Sequence, residues 1–118
     1  MTTRKNRDLE GPIHRAIIAY LRAKGIFAYH PANEIAVKGP AIGRAIAKNK
    51  WNGTTPGFPD VLCFYKGRAF VFEVKAKGGY LTPAQKAVRD QIEAQGIPFA
   101  VVRSIDDVKE AMEEWRVE

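Results

Sequence analysis

Two carboxylates and one ammonium group stand beside neighbouring hydrophobic runs of the sequence. Pro59-Asp60 directly precedes Val61–Tyr65, and Glu73-Val74-Lys75 ends the run that begins at Ala69. Charges in such surroundings are costly to bury unless something compensates them. A divalent metal ion and a phosphate group would compensate both signs of charge, so the pattern predicts metal-dependent chemistry on phosphodiesters.

Both runs have the composition of buried β-strands, and Lys66-Gly67 between them predicts a tight hairpin turn. With this turn Tyr65 pairs with Arg68, which sets Asp60 opposite Glu73 to within one residue. Two carboxylates that close together would share a proton unless a cation binds them. Mg²⁺ or Mn²⁺ is the expected ion, because hard cations prefer oxygen ligands.

Lys75 and the Val74 backbone complete the predicted centre. Side chains alternate along a strand, so Lys75 points to the same side as Glu73. The Val74 carbonyl between them can supply a further oxygen ligand. A bound metal ion would activate a water and stabilise charge on the phosphate, while Lys75 would orient that water or neutralise phosphate oxygens.

Glu10 stands near the start of a predicted amphipathic helix over Leu9–Lys24. Apolar residues follow it at three and seven positions, so it lies on the buried stripe and would reach the metal directly or through water. The alternative is an ordinary first-turn acid favoured by the helix dipole. Residues 1–8 are polar and basic, and we expect them to be frayed.

The remaining elements predict an α/β fold in which helices cover both faces of a mixed sheet. Thr82 and Ser104 are the predicted N-caps of two helices. The other predicted elements are the strand Ile26–His30, an irregular segment Pro31–Pro56 with a short basic helix at Pro40–Lys50, the strand Pro98–Val102, and helix ends before Gly96 and near Trp115.

Gln85 has two interpretations. Thr82-Pro83-Ala84-Gln85 has the pattern of a capping box, in which the glutamine bonds back to the Thr82 backbone. Val88 and Ile92 lie on the same helix face, so Gln85 also points at the sheet, where it would serve the active site. Both interpretations stay open on the residues alone.

The histidines give a weaker signal. His14 lies one turn after Glu10, where it would contact a phosphate or remain a partly exposed helix residue. His30 has no partner at metal-ligand spacing and is assigned no role.

Composition favours a polyanionic partner. The 118-residue chain carries 19 lysines and arginines against 13 acidic residues, a formal charge of +6, and its pI is about 9.6. A phosphate-binding strip is predicted, with a solvated basic face as the alternative; its members are Lys38, Arg44, Lys48, Lys50 and Lys77. Trp51 would stack on a base or fill a dimer interface.

The length suits one domain over residues 1–118. The single cysteine, Cys63, excludes an internal disulfide framework and a multi-cysteine zinc site. Its position inside a strand predicts a core residue rather than a nucleophile. The sequence has neither a signal pattern nor a membrane-spanning apolar run, so we expect a cytosolic protein.

The residues of the predicted metal centre, together with Glu10 and Gln85, resemble the PD-(D/E)xK nuclease superfamily. The wider pattern around them resembles its virus-type replication-repair nuclease domain, VRR-NUC. The resemblance runs from Glu10 to about Val102. The extended pattern is much less common by chance than a bare D…ExK. Its segments are Gly57-Phe58-Pro59-Asp60, Phe72-Glu73-Val74-Lys75, Gly79 and Leu81-Thr82-Pro83-Ala84-Gln85.

The resemblance implies a restriction-endonuclease-like sheet core and Mg²⁺- or Mn²⁺-dependent cleavage of DNA. A free-standing, phage-type member is expected, acting as a homodimer on branched DNA such as Holliday junctions. A flap or single-strand nuclease and a non-catalytic nucleic-acid-binding module are the alternatives. The implied roles are metal ligation by Asp60, Glu73 and the Val74 carbonyl, catalysis by Lys75, an outer or second-metal carboxylate at Glu10, and active-site support from Gln85.

Overall fold

The computed structural model describes residues 4–31, 44, 53 and 55–118, with side chains from residue 9 onward. Arg44 is helical and exposed, and the rest of the basic helix predicted at Pro40–Lys50 lies outside the described residues. The described helices and strands are α1 (Arg4–Ala23), β1 (Phe27–Tyr29), β2 (Val61–Tyr65), β3 (Arg68–Val74), α2 (Pro83–Ala94), β4 (Phe99–Val102) and α3 (Ile105–Glu114).

The strands form one mixed sheet in the order β1-β2-β3-β4. The pairs β1–β2 and β2–β3 are antiparallel, and β3–β4 is parallel. Tyr65 pairs with Arg68 and Val61 with Phe72, so the hairpin has the predicted register. One step beyond this ladder, Asp60 stands opposite Glu73.

Strand direction brings several chain segments to one edge of the sheet. The antiparallel and parallel pairings together place the ends of β1, β3 and β4 and the start of β2 at the same edge. His30, Asp60 and Glu73 therefore meet there, although they come from three different strands or strand ends. The fold positions the polar groups at this edge.

Helices lie on both faces of the sheet, as predicted. Phe70, Phe72 and Val74 point to the face that packs against α1 and α3, and the Phe72 ring stacks on Trp115 with centroids 5.5 Å apart. Glu73 points to the opposite face because side chains alternate along a strand. There it accepts a hydrogen bond from α2, so α2 covers the second face. The buried residues that α1 and α3 contribute to the core are Ile17, Leu21, Val108, Ala111 and Met112.

The first helix begins earlier than the sequence predicts. α1 starts at Arg4 rather than Leu9, so Pro12 lies inside the helix instead of in its first turn. Lysine and arginine are good helix formers, and residues 4–8 contain no glycine or proline that would stop the helix. Pro12 leaves one backbone carbonyl of the preceding turn without its helical partner.

None of the described helices is long and apolar enough to span a membrane.

Cys63 is fully buried in the core, and burial raises the pKa of its thiol to about 12. Only the thiolate reacts readily with electrophiles. At pH 8 the native thiol stays protonated and shielded, so we expect no reaction with a disulfide reagent over minutes. Denaturant should release one reactive thiol per chain. Rapid titration of the native protein would contradict this placement.

Candidate active site

Asp60 is held against the backbone of β3. Its Oδ2 accepts a hydrogen bond of 2.9 Å from the Val74 backbone N–H. The N–H and C=O of one strand residue point to the same side, so the Val74 carbonyl is also directed toward the Asp60 side of β3. The hairpin therefore brings a side-chain carboxylate and a backbone carbonyl together at one point.

Glu73 and Lys75 are buried side by side on the α2 face, with only 3% and 2% of their surfaces exposed. Burial raises the pKa of Glu73 well above its usual range, and the hydrogen bond and charge of Asp60 raise it further. The Lys75 charge opposes this effect and lowers the pKa of Glu73. Two such carboxylates hold a shared proton unless a cation takes its place.

Two carboxylate oxygens remain without hydrogen-bond partners. Within the described part of the chain, Glu10 Oε1 and Glu73 Oε2 are buried and have none. Glu10 lines a cavity of about 330 Å³ together with Asp60 and Val74, and its charge raises the pKa of Glu73. Unpaired buried carboxylate oxygens are what a hard divalent cation needs as ligands.

The described residues do not form a metal site made of three side chains. Among the described residues, no group of three or more His, Cys, Asp or Glu side chains is arranged to hold a metal ion. Mg²⁺ commonly binds through one or two carboxylates and keeps several waters. The donor set of Asp60, Glu73 and the Val74 carbonyl fits this requirement, and Glu10 lines one cavity with Asp60 and Val74.

Gln85 forms the predicted capping box and also points at the sheet. Its Oε1 accepts from the Thr82 N–H at 2.9 Å, and the Thr82 hydroxyl accepts from the Gln85 N–H at 3.2 Å, which forms a complete capping box. Its Nε2 donates to Glu73 Oε1 at 3.4 Å. One end of the amide caps α2 and the other end contacts the buried carboxylate.

Gly57 joins the Asp60 loop to the start of α2. Its φ is +84°, and a Cβ at this position would lie 2.8 Å from the Ala84 carbonyl carbon and 3.0 Å from the Gln85 nitrogen. Such distances are too short for any side chain. Gly57 therefore permits the close approach of the loop that carries Asp60 and the helix that carries Gln85.

His30 is a site residue that sequence reasoning missed. Its Nδ1 lies 2.7 Å from the Asp60 backbone carbonyl. A carbonyl only accepts hydrogen bonds, so Nδ1 is the donor. The His14 ring stands edge-on to His30 with centroids 4.6 Å apart, and both line the cavity of Glu10 and Asp60. Burial and the His30 charge lower the pKa of His14.

A sequence signal for His30 existed in its position directly after β1. Tyr29 pairs with Leu62, so His30 lies beside the start of β2, next to Asp60. That signal depends on knowing that β1 and β2 are neighbours.

The predicted basic strip is only partly described. Arg44 and Lys77 are exposed, and Lys77 follows the β3 end that carries the buried Lys75. The other predicted members, with Trp51, lie outside the described residues: Lys38, Lys48 and Lys50.

We expect Gly57→Ala to destabilise the fold by about 2–4 kcal/mol, because it adds a left-handed alanine and a clash with the α2 backbone. Gly96→Ala is the matched control: Gly96 has φ +78°, and its Cβ would meet nothing within 4 Å. It should cost only about 1 kcal/mol. Chemical denaturation measures the free energy of unfolding of both variants. Equal decreases would show that the close approach of Gly57 to α2 does not contribute to stability.

Comparison with known proteins identifies the family and the fold of the chain. The VRR-NUC domain family matches residues 15–106, which include Asp60, Glu73, Lys75 and Gln85 but not Glu10. A solved structure described as a VRR_NUC domain protein is similar over 88% of this chain and 84% of that chain, with a TM-score of 0.64 and 22% identity, a likeness that shows the fold. None of the curated proteins matches. Because the family match covers most of the sequence, the chain belongs to the VRR-NUC domain family.

Proposed function

We propose that the protein is a metal-dependent, structure-specific DNA endonuclease that hydrolyses phosphodiester bonds in branched DNA. The observation that carries the proposal is the pairing of the buried Glu73 with Asp60 beside a buried lysine, Lys75. Placing a half-buried carboxylate beside a buried one serves no packing purpose, because a proton or a cation must then offset their repulsion. A divalent cation that also binds phosphate gives the arrangement a function.

The proposed ligands are Asp60, Glu73 and the Val74 carbonyl, with Glu10 acting directly or through water. When bound, Mg²⁺ or Mn²⁺ would lower the pKa of a water and stabilise charge on the phosphate. The Val74 N–H keeps Asp60 Oδ2 in place, and Gln85 does the same for Glu73 Oε1. The buried Lys75 ammonium would orient the attacking water or neutralise phosphate oxygens.

The substrate class and assembly are further parts of the proposal. The formal charge of +6 supports a DNA partner. Branched DNA and a homodimer follow from the resemblance to junction-cleaving members of the family. A dimer would carry two such sites, one for each of two strands at a branch. Cleavage should leave a 5′-phosphate and a 3′-hydroxyl.

Asp60→Asn tests the catalytic proposal, because the amide oxygen can still accept from Val74 while the charge is lost. We expect cleavage to fall at least on the order of 10²–10³-fold, with DNA binding retained. Labelled junction, flap, duplex and single-stranded DNA, each with Mg²⁺, Mn²⁺ or chelator, provide the assay. Asp90→Asn, at an exposed carboxylate that pairs with Arg89, is the matched control and should cut normally.

Normal cutting by Asp60→Asn would refute the site. Binding of DNA by the wild type without cleavage in either metal would favour the non-catalytic nucleic-acid-binding module.

His30 variants test whether the position of Asp60 matters for metal binding. His30→Leu removes the N–H that bonds to the Asp60 carbonyl, whereas His30→Asn offers an amide N–H in a similar place. Loss of an outer-shell partner weakens metal binding by about 10–100-fold. We expect calorimetry with Mn²⁺ to show a loss of about tenfold in His30→Leu and substantial recovery in His30→Asn. Equal affinity in all three proteins would contradict this role.

A further inference from the structure

A groove extends from the carboxylates along the first helix. One cavity, of about 330 Å³, lies at Glu10 and Asp60, and a second of about 390 Å³ lies beside it. The two share three lining residues and are therefore adjacent. We call the second cavity the α1–β1 groove; its lining residues are His14, Arg15, Ile18, Ala19, Arg22 and His30.

The residues that line this groove are basic along its side and apolar at its floor. The α1 residues at positions 15, 18, 19 and 22 recur at helical spacing, so they share one face. Ile18 and Ala19 form the apolar floor, and Arg15 and Arg22 supply the charge. Within the described residues the ion pairs all involve Arg89, so no carboxylate neutralises Arg15 or Arg22 there.

Both arginines are directed along the groove. Arg22 Nε and Nη2 donate to the Ala28 carbonyl at 3.3 and 3.1 Å, which holds the guanidinium beside β1 and uses only two of its five N–H donors. Arg15 folds back over Gly11, where a Cβ would lie 3.3 Å from Arg15 Nη1. Its guanidinium therefore points toward the cavity that Glu10 and Asp60 line.

The positions of Arg15 and Arg22 along α1 suit a nucleic-acid strand. Seven residues of helix separate Arg15 from Arg22, or about 10 Å along the axis. A strand in duplex DNA advances about 3.4 Å per nucleotide, so this distance corresponds to about three nucleotides. Grooves that combine backbone-tracking cations with a surface for sugars or bases are typical of proteins that hold single strands.

We propose that the α1–β1 groove binds one DNA strand leading to the carboxylates, with Arg15 and Arg22 on its phosphates and Ile18 and Ala19 against its sugars or bases. The inference rests on the proposed nuclease function, because a strand whose phosphate lies at Asp60 must continue away from the site. The charge of the groove and its position next to that site select DNA over an apolar partner.

Binding in chelator tests this without cleavage. A fluorescent single-stranded oligonucleotide is titrated with wild type, with Arg15→Gln/Arg22→Gln, and with the charge-matched control Lys24→Gln/Lys109→Gln, whose lysines lie over Tyr20 instead. We expect at least about tenfold weaker binding in the groove variant. The slope of log K against log salt should fall by about 1.4, since each lost phosphate contact removes about 0.7.

Affinity and slope equal to those of the control would overturn the proposal. Should the double variant fold poorly, Arg15→Gln alone is compared with Lys109→Gln, with an expected slope change of about 0.7. Because metal is absent, failure of the groove and failure of the nuclease are separable. A wild type that never cuts but needs these arginines for binding would leave the groove intact.

Protection from alkylation locates the strand. Ala19→Cys places a thiol on the exposed floor of the groove, Ala94→Cys places one at the exposed end of α2, and native Cys63 is buried. We expect saturating oligonucleotide to slow maleimide labelling of Ala19→Cys at least fivefold and to leave Ala94→Cys unchanged. The assignment would be overturned if the oligonucleotide slowed labelling of both cysteine variants equally. It would also be overturned if raising the protein concentration, without oligonucleotide, slowed labelling of Ala19→Cys.

Discussion

Asp60 and Glu73 face each other one step beyond the β2–β3 ladder, where Glu73 is buried and Asp60 is half-buried. Their mutual repulsion is the constraint around which the neighbouring groups are arranged. The Val74 N–H binds one oxygen of Asp60, the Gln85 amide binds one oxygen of Glu73, and Lys75 supplies a positive charge nearby. These groups offset only part of the free-energy cost of placing the two carboxylates together, because Glu73 Oε2 remains without a partner among the described residues. A cation is the natural complement.

The second layer of the site holds this pair in place. Gly57 lets the loop before Asp60 touch the first turn of α2, so the capping box of that helix and the carboxylate contact of Gln85 are parts of one arrangement. His30 fixes the Asp60 backbone from the edge strand. The strand end, the turn and the helix cap therefore together determine where the held oxygen atoms of Asp60 and Glu73 lie.

The sequence predicted the parts of this site that depend on local rules. Hairpin register follows from a two-residue turn and strand alternation, so Asp60 could be placed opposite Glu73 without coordinates. The caps at Thr82 and Ser104 follow from residue types. His30 could not be found because its role depends on which strands become neighbours. The capping box and the contact of Gln85 with Glu73 do not exclude each other, because the amide oxygen caps α2 while the amide nitrogen donates to the carboxylate.

A stability measurement tests most directly whether the carboxylate pair binds a divalent cation. An ion that binds only the folded state raises the unfolding temperature, and the stabilisation grows with the logarithm of its concentration relative to its Kd. Scanning calorimetry would compare wild type with Glu73→Gln, each in chelator and in excess Mn²⁺. We predict that Mn²⁺ raises the unfolding temperature of the wild type by several degrees, as expected for a shift of about 1–2 kcal/mol, and that of Glu73→Gln much less. No shift, or the same shift in both proteins, would contradict a metal site built on Asp60 and Glu73.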